Sequence, residues 1–125
     1  MNKEVFLELF SRGNRIREAA HYLLGMSSTP IDIICFMCFQ SAETLLKSYL
    51  SLCNYPITRV HDLIYLVKVC AKYNIAFKQI EENCAELTSY NVLIYNDLSK
   101  EDAIDALNKV DSIYFIIRCV TNQLK

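Results

Sequence analysis

The sequence predicts an all-α protein, an antiparallel up-and-down bundle of four to five helices. Only two Gly and two Pro occur in the 125 residues, too few for a multi-stranded sheet, which needs a turn about every ten residues. Apolar residues make up 53% of the chain and charged residues 22%, as in a folded domain with a core. Apolar positions also recur at helical spacing in successive segments. We therefore expect a single helical domain over residues 1–125.

The first two helices are separated by a short polar stretch. The first is predicted over residues 2–24, with Gly13 weakening it midway. Thr29 is expected as the N-cap of the second helix, with Pro30 at its first helical position. The second helix is expected to reach about Asn54, with a first half that is apolar on every side and a second half that is amphipathic.

The remaining segments carry their own boundary signals. After a proline-containing loop, a third helix is predicted to start near His61 and Asp62. A fourth covers roughly residues 76–94, with apolar residues in helical phase. Ser99 and Asp102 stand at the spacing of a capping box before the last helix. Five helices with short connections describe the predicted bundle.

Charge and hydropathy exclude several functional classes. The formal net charge is −1 and the pI is about 6.1, so no generic nucleic-acid binding is expected. The N-terminus shows no signal-peptide pattern. The longest apolar run, residues 33–39, is far shorter than the roughly 18 residues of a membrane span. We expect a cytoplasmic protein that does not enter the membrane.

The cysteines and the glycine content bear on metals and cofactors. In a reducing compartment we expect free thiols that pack as small hydrophobic side chains. The one Cys-x-x-Cys pair lacks a second ligand pair, so no metal site is predicted. Two glycines rule out the phosphate-binding loops, and no cofactor is predicted. The six cysteines are Cys35, Cys38, Cys53, Cys70, Cys84 and Cys119.

A polar stripe marks the second half of the second helix. Gln40, Glu43 and Lys47 follow at spacings of three and four, which places them on one helix face. Glu43 and Lys47 are oriented for an i,i+4 ion pair worth a few tenths of a kcal/mol. The simplest interpretation is a solvated surface pair, and the alternative is one wall of a binding site.

Four stretches in order, CFQSAETLLKSYL, VHDLIYL, SYNVLIYND and EDAIDAL, resemble the HEPN domain (higher eukaryotes and prokaryotes nucleotide-binding). The resemblance spans about residues 15–124. It implies an antiparallel helical bundle, usually a homodimer, that often pairs with a small nucleotidyltransferase, as in toxin–antitoxin pairs. Some members are ribonucleases, whereas others bind nucleotides or partners.

The ribonuclease branch of that family carries an Arg, a polar residue directly after it and a His five to seven positions beyond, on a late helix. Here Arg15 and His21 have a suitable spacing, but Ile16 fills the polar position and the segment lies in the first helix. Six helical steps also point the two side chains about 120° apart. Arg118, in the last helix, has no His after it. Ile94 replaces the Arg of an Arg-Tyr-Pro sequence common in relatives, so the bidentate phosphate contact of that Arg is missing.

These observations predict a non-catalytic HEPN-like binding module that associates with a nucleotide or a small nucleotidyltransferase. Two alternatives stay open: a ribonuclease toxin with a degenerate site, and a purely structural helical dimer. His61 has its own simpler interpretation, which is that it helps to cap the third helix beside Asp62. The predicted nucleotide- or partner-binding residues are Lys47, His61, Asp62, Tyr90, Tyr95 and Glu43.

A homodimer is expected because two helices carry more apolar surface than one small bundle can cover. The second helix begins with an unbroken apolar run, and the last helix contains five consecutive apolar residues. A symmetric interface would bury the remainder. The predicted interface residues are Ile33, Phe36, Met37, Phe115 and Ile116.

Overall fold

The computed structural model describes residues 2–56, 59–91 and 97–122. In these residues the protein is helical and contains no β-strand, so the predicted all-α bundle is confirmed. Short 3-10 helices, Ile75–Ile80 and Thr88–Tyr90, flank the fourth α-helix. The five α-helices are α1 (Lys3–Leu24), α2 (Ile31–Leu52), α3 (Leu63–Tyr73), α4 (Glu81–Leu87) and α5 (Lys100–Asn122).

The central helix of the bundle is α2, which α1, α3 and α5 all contact. The face opposite the predicted polar stripe is buried, including Ala42, Leu45 and Leu46. The stacked rings of Phe10 and Tyr114 join α1 to α5.

Gly13 has a different role from the one expected. A Cβ atom at this position would lie 2.8 Å from Cγ of Leu45 and 3.2 Å from its backbone nitrogen. The buried hydroxyl of Ser41 donates a hydrogen bond of 2.7 Å to the Gly13 carbonyl. At Gly13, α1 therefore packs so closely against α2 that a side chain would not fit without a shift of Leu45. The helix α1 continues through Gly13 without interruption.

Several helix boundaries differ slightly from the expected ones. Pro30 is the N-cap of α2, not its first residue, because its ψ of 124° is extended. The fourth segment is not one continuous helix, since Ile80 (φ −114°, ψ 11°) separates a 3-10 turn from α4. The predicted capping box is confirmed: the Ser99 N–H donates to the Asp102 carboxylate at 2.8 Å. The end of the predicted fourth helix, residues 92–94, lies outside the described residues.

The cysteines are free thiols, and four of them are buried. Burial raises the pKa of Cys35 to about 11, and it raises the pKa of Cys38 still further. Such thiols remain protonated at neutral pH and pack as small hydrophobic groups. Cys53 is half-buried, and Cys119 is exposed. Core packing was the wrong expectation for Cys119, because it lies on the outer face of α5.

In the described part of the chain, no helix is both long enough and apolar enough to cross a bilayer.

Candidate functional site

Glu43 connects two of the predicted site residues. Its Oε2 atom accepts hydrogen bonds from Lys47 Nζ and from His61 Nδ1, each at 2.7 Å. The side chains of Glu43 and Lys47 are both only 14% exposed, whereas His61 is 70% exposed. The i,i+4 pair is confirmed, but it is not the solvated surface pair of the simplest interpretation. We call these three residues the Glu43 bridge.

The start of α3 holds His61 in this position. The carboxylate of Asp62 accepts hydrogen bonds from the N–H groups of Ile64 and Tyr65, at 3.0 and 3.3 Å. Asp62 is thus the N-cap of α3. Because Asp62 alone supplies the side-chain cap that the structure describes, His61 is left to reach across to Glu43 on α2.

The end of α2 places a tyrosine beside this bridge. Asn54 adopts a left-handed conformation with φ 58°. Its N–H donates to the Ser51 carbonyl, and the N–H of Tyr55 donates to the Leu50 carbonyl at 3.0 Å. These two bonds form a Schellman motif, the common ending of a helix at a left-handed residue. The motif turns the chain so that the hydroxyl of Tyr55 hydrogen-bonds that of Tyr65 on α3.

The tyrosine pair separates two neighbouring depressions. The smaller one is lined mainly by apolar side chains, including Leu50 and Val60, and also by Lys47 of the Glu43 bridge. The larger one is an open groove of about 370 Å³. We call it the tyrosine–lysine groove, and its lining residues are Tyr55, Tyr65, Lys68, Val69, Lys72 and Tyr73.

The cations of the tyrosine–lysine groove are unlike Lys47. Lys68 and Lys72 are exposed, and neither pairs with a carboxylate in the described part of the chain. The hydrogen bond to Tyr65 raises the pKa of the Tyr55 hydroxyl, so this hydroxyl stays protonated at neutral pH. The groove therefore offers positive charge and aromatic surface without an internal counter-charge.

The sequence reasoning missed this groove, although a signal was present. Tyr65, Lys68 and Lys72 follow at spacings of three and four on one helix face. A search for residues at helical spacing, which found the polar stripe of α2, would also have found this face with one aromatic and two basic residues. The formal net charge of −1 gave no indication of this local basic face.

Tyr90, one of the two tyrosines predicted for the binding site, lies away from the Glu43 bridge. Burial, together with the nearby Cys35 and Asp102, raises the pKa of Tyr90 to about 12. Cys35 precedes Lys47 by twelve positions on α2, or about 18 Å along the helix axis. The structure therefore separates Tyr90 from the Glu43 bridge. Tyr95 lies outside the described residues.

A second polar cluster joins α1 to α5. The carboxylate of Asp111 accepts hydrogen bonds from Arg17 Nη1 at 2.8 Å and from His21 Nε2 at 2.9 Å. Arg17 also donates to the side-chain oxygen of Asn14, and its guanidinium lies 4.1 Å from the centre of the Tyr114 ring. We call these five residues the α1–α5 cluster. Arg15, by contrast, is exposed on another face of α1, beside Met37.

The α1–α5 cluster was not foreseen because Asp111 is 90 positions from His21 in the sequence. The i,i+4 spacing of Arg17 and His21 was readable and predicts that they share a face. The partner on α5 was not readable from that spacing. Every charged group of the cluster has a partner, as expected for a contact that holds two helices together.

The predicted dimer-interface residues are only partly accessible. Ile33 is 39% exposed and Phe115 is 62% exposed. Met37 and Ile116 are half-buried and pack against the core of the same chain. Phe36 is half-buried beside the ring of Phe39. Apolar surface thus remains on α2 and α5, and the dimer itself stays a prediction.

No group of three His, Cys, Asp or Glu side chains is placed to hold a metal ion in the residues that the structure describes.

Comparison with known proteins identifies the family. The family model for the HEPN domain matches residues 6–120, which is nearly the whole chain and includes both the Glu43 bridge and the α1–α5 cluster. Comparisons with curated proteins and with solved structures gave no significant match. Since the family match covers all five helices of the bundle, the chain belongs to the HEPN domain family.

Proposed function

We propose that this protein is a non-catalytic HEPN binding module that binds a nucleotide, or the acidic surface of a nucleotidyltransferase partner, at the Glu43 bridge. The observation that carries the proposal is the convergence of Lys47 and His61 on one carboxylate. Lys47 lies on α2 and His61 lies directly before the N-cap of α3, and His61 remains 70% exposed. A bound phosphate would replace Glu43 as the acceptor of their hydrogen bonds.

The tyrosine pair supports this proposal from the neighbouring side. Tyr55 and Tyr65 lie in the same depression as Lys47. A nucleotide held by its phosphate at Lys47 would therefore have an aromatic side chain within reach of its base. Nucleotide pockets commonly combine such an apolar wall with a few polar groups.

Calorimetric titration with a panel of nucleotides tests the proposal. Lys47→Ala removes a charged hydrogen-bond donor, and we expect it to weaken binding by about 1.5–3 kcal/mol. Glu43→Gln removes the competing acceptor charge, and we expect tighter binding. Lys3→Ala, on the exposed first turn of α1, is the matched control and should leave the affinity unchanged. A nucleotide affinity that is unchanged by both Lys47→Ala and Glu43→Gln would contradict this site.

We further propose that the module is a homodimer. Ile33 on α2 and Phe115 on α5 are two predicted interface residues whose side chains are exposed, and they support this interface. Sedimentation equilibrium at micromolar concentration should give twice the chain mass of 14.5 kDa. Phe115→Ser should shift the equilibrium toward the monomer, and Leu7→Ser, an equally exposed apolar residue on α1, should not. A monomer mass at all concentrations would reject the dimer.

The second candidate function is ribonuclease activity through the α1–α5 cluster. One observation favours it: Arg17 and His21 project from the same face of α1 to one carboxylate, and His21 is 42% exposed. A His that is oriented by a carboxylate can act as a general base. Arg17, however, is engaged by both Asp111 and Asn14, which leaves little of its guanidinium for a phosphate.

Incubation of the purified protein with single-stranded RNA separates the two functions. We expect no cleavage by the parent protein or by a variant with both His21→Ala and His61→Ala. Cleavage by the parent that is lost with His21→Ala alone would establish the second function and overturn the first. Cleavage that persists in the double variant would point to a contaminating nuclease.

A further inference from the structure

The charges of this chain are segregated in a way that its net charge of −1 conceals. Residues 55–80 contain four basic residues and one acidic residue, whereas residues 81–105 contain seven acidic residues and one basic residue. The first segment contains α3, and the second contains α4 and the start of α5. The helix that lines the tyrosine–lysine groove is therefore locally basic in a chain that is slightly acidic overall.

The groove presents these charges next to accessible aromatic rings. Tyr65 is 38% exposed and Tyr73 is 50% exposed. Within the described residues, neither ring stacks on another aromatic side chain. Lys68 and Lys72 are one helical turn apart on the same face of α3. Among the described residues, this groove thus combines lysines that lack a carboxylate partner with accessible rings that are not stacked on another ring.

We propose that the tyrosine–lysine groove binds a single-stranded polynucleotide. Single strands are held by positive grooves that follow the backbone and by aromatic rings on which the bases stack. Lys68 and Lys72 would each contact a phosphate, and Tyr73 would stack on a base. The groove is open along α3 instead of closed around one ligand, which suits a chain that continues beyond it.

This inference deepens the proposed function, on which it rests for the use of the α2–α3 surface, by naming a polymeric ligand. Lys47 is held by Glu43, whereas Lys68 and Lys72 have no carboxylate partner among the residues that the structure describes. A mononucleotide offers phosphate at one end only, whereas adjacent nucleotides of a strand offer one phosphate to each lysine. The two sites can therefore be tested with different ligands.

Fluorescence anisotropy with labelled single-stranded RNA and DNA of about twelve nucleotides is the direct test. We expect binding whose logarithmic affinity falls with the logarithm of salt concentration with a slope of about −1.4, the value for two phosphate contacts on a single strand. A variant with both Lys68→Ala and Lys72→Ala should lose binding and most of that slope. A variant with Lys3→Ala and Lys100→Ala, which removes the same charge from two other exposed positions, should keep both.

Aromatic stacking is tested separately with Tyr73. Tyr73→Ala should weaken binding about tenfold, whereas Tyr73→Phe, which keeps the ring, should bind like the parent. Tyr22→Ala removes an even more exposed tyrosine, on α1, and should have no effect. Equal effects of Tyr73→Ala and Tyr22→Ala would overturn the assignment of the base to this groove.

Two further outcomes separate this inference from the proposed function. If polyglutamate binds as tightly as the oligonucleotide, the ligand is an acidic protein segment, and the proposal of a polynucleotide ligand is overturned. Oligonucleotide binding that is lost with Lys47→Ala, but kept in the variant with Lys68→Ala and Lys72→Ala, would also overturn it while supporting the Glu43 bridge. Oligonucleotide binding without mononucleotide binding would support the groove and reject the nucleotide at the bridge.

Discussion

The α1–α5 cluster and the tyrosine–lysine groove are built from similar residues but use them in opposite ways. In the cluster, the guanidinium of Arg17 is 18% exposed and contacts Asp111, Asn14 and the Tyr114 ring. In the groove, Lys68 and Lys72 are exposed and have no carboxylate partner among the described residues. A cation with partners on every side holds helices together, whereas an unpaired cation beside aromatic rings is available for a ligand.

This difference predicts where substitutions affect stability and where they affect binding. The buried contacts of α1 with α2 and α5 should be sensitive to a loss of hydrogen bonds or of close packing. The exposed face of α3 should tolerate the same kind of change with little loss of stability. The Glu43 bridge, which is largely buried but reaches the surface at His61, should be intermediate.

The largest effect is expected for Arg17→Ala. The variant loses the ion pair with Asp111 and the contact with Tyr114, and it leaves a partly buried carboxylate with only His21. We expect the free energy of unfolding to fall by about 2–3 kcal/mol, measured by urea denaturation. Arg12→Ala, whose pair with Glu8 is largely exposed, should change it by less than about 0.5 kcal/mol. Equal effects of the two substitutions would show that the cluster does not stabilise the contact between α1 and α5.

Gly13→Ala should destabilise the protein by about 1–2 kcal/mol. The added methyl group would meet Leu45 at 2.8 Å, and this overpacking exceeds the gain in helix propensity. Gly25→Ala is the matched control, because a Cβ atom at this position would lie 3.5 Å from the Tyr22 carbonyl oxygen, an ordinary contact distance, and the φ of Gly25 is −76°. In thermal unfolding, the melting temperature of Gly13→Ala should be lower than that of the parent, and the melting temperature of Gly25→Ala should be equal to it or higher. A Gly13→Ala variant as stable as the parent would mean that α1 and α2 can move apart without cost.

Glu43→Gln should lower the free energy of unfolding by about 1 kcal/mol. The amide keeps the shape of the side chain but leaves the ammonium of Lys47 without its counter-charge. Glu86→Gln provides the comparison. Glu86 pairs with Lys109, but the Glu86 side chain is 53% exposed, so its substitution should have almost no effect on the free energy of unfolding. A similar response of both variants would indicate that the Glu43 bridge is as weak as an ordinary surface pair.

The smallest effect on stability is expected for the variant with Lys68→Ala and Lys72→Ala. In the described part of the chain neither side chain has a carboxylate partner to lose, and Ala is a good helix former. In urea denaturation, the free energy of unfolding should therefore differ from that of the parent by less than about 0.5 kcal/mol. A clear loss of stability would show that these lysines have a structural role, and it would weaken the argument that they are available to a ligand.

The sequence predicted the helices well because their periodicity and caps are local properties. The apolar face of α2, the N-cap Asp62 and the capping box at Ser99 are readable from neighbours within four positions. The i,i+4 pair of Glu43 and Lys47 was predicted for the same reason. The resemblance placed Lys47 and His61 in one predicted site, but the contact of His61 with Glu43 was not predicted, because it joins α2 to the segment before α3.

The rest depended on contacts between distant segments. The helical pattern gave no indication that Gly13 faces Leu45, since a glycine inside a helix usually only weakens it. Asp111 could not be assigned to Arg17 and His21 without the relative placement of α1 and α5. The position of Tyr90 near Cys35 likewise depends on how α4 returns to α2.

The left-handed residue Asn54 has a consequence for the thermodynamics of ligand binding. Tyr55 takes its position in the groove from the Schellman motif, so the groove is complete only while the last turn of α2 is closed. Fraying of that turn would lower the apparent affinity in proportion to the fraction of molecules with the turn closed. By the same linkage, a bound ligand should slow hydrogen exchange at the Tyr55 amide. An Asn54 variant that disfavours positive φ would then weaken binding from a position outside the lining of the groove.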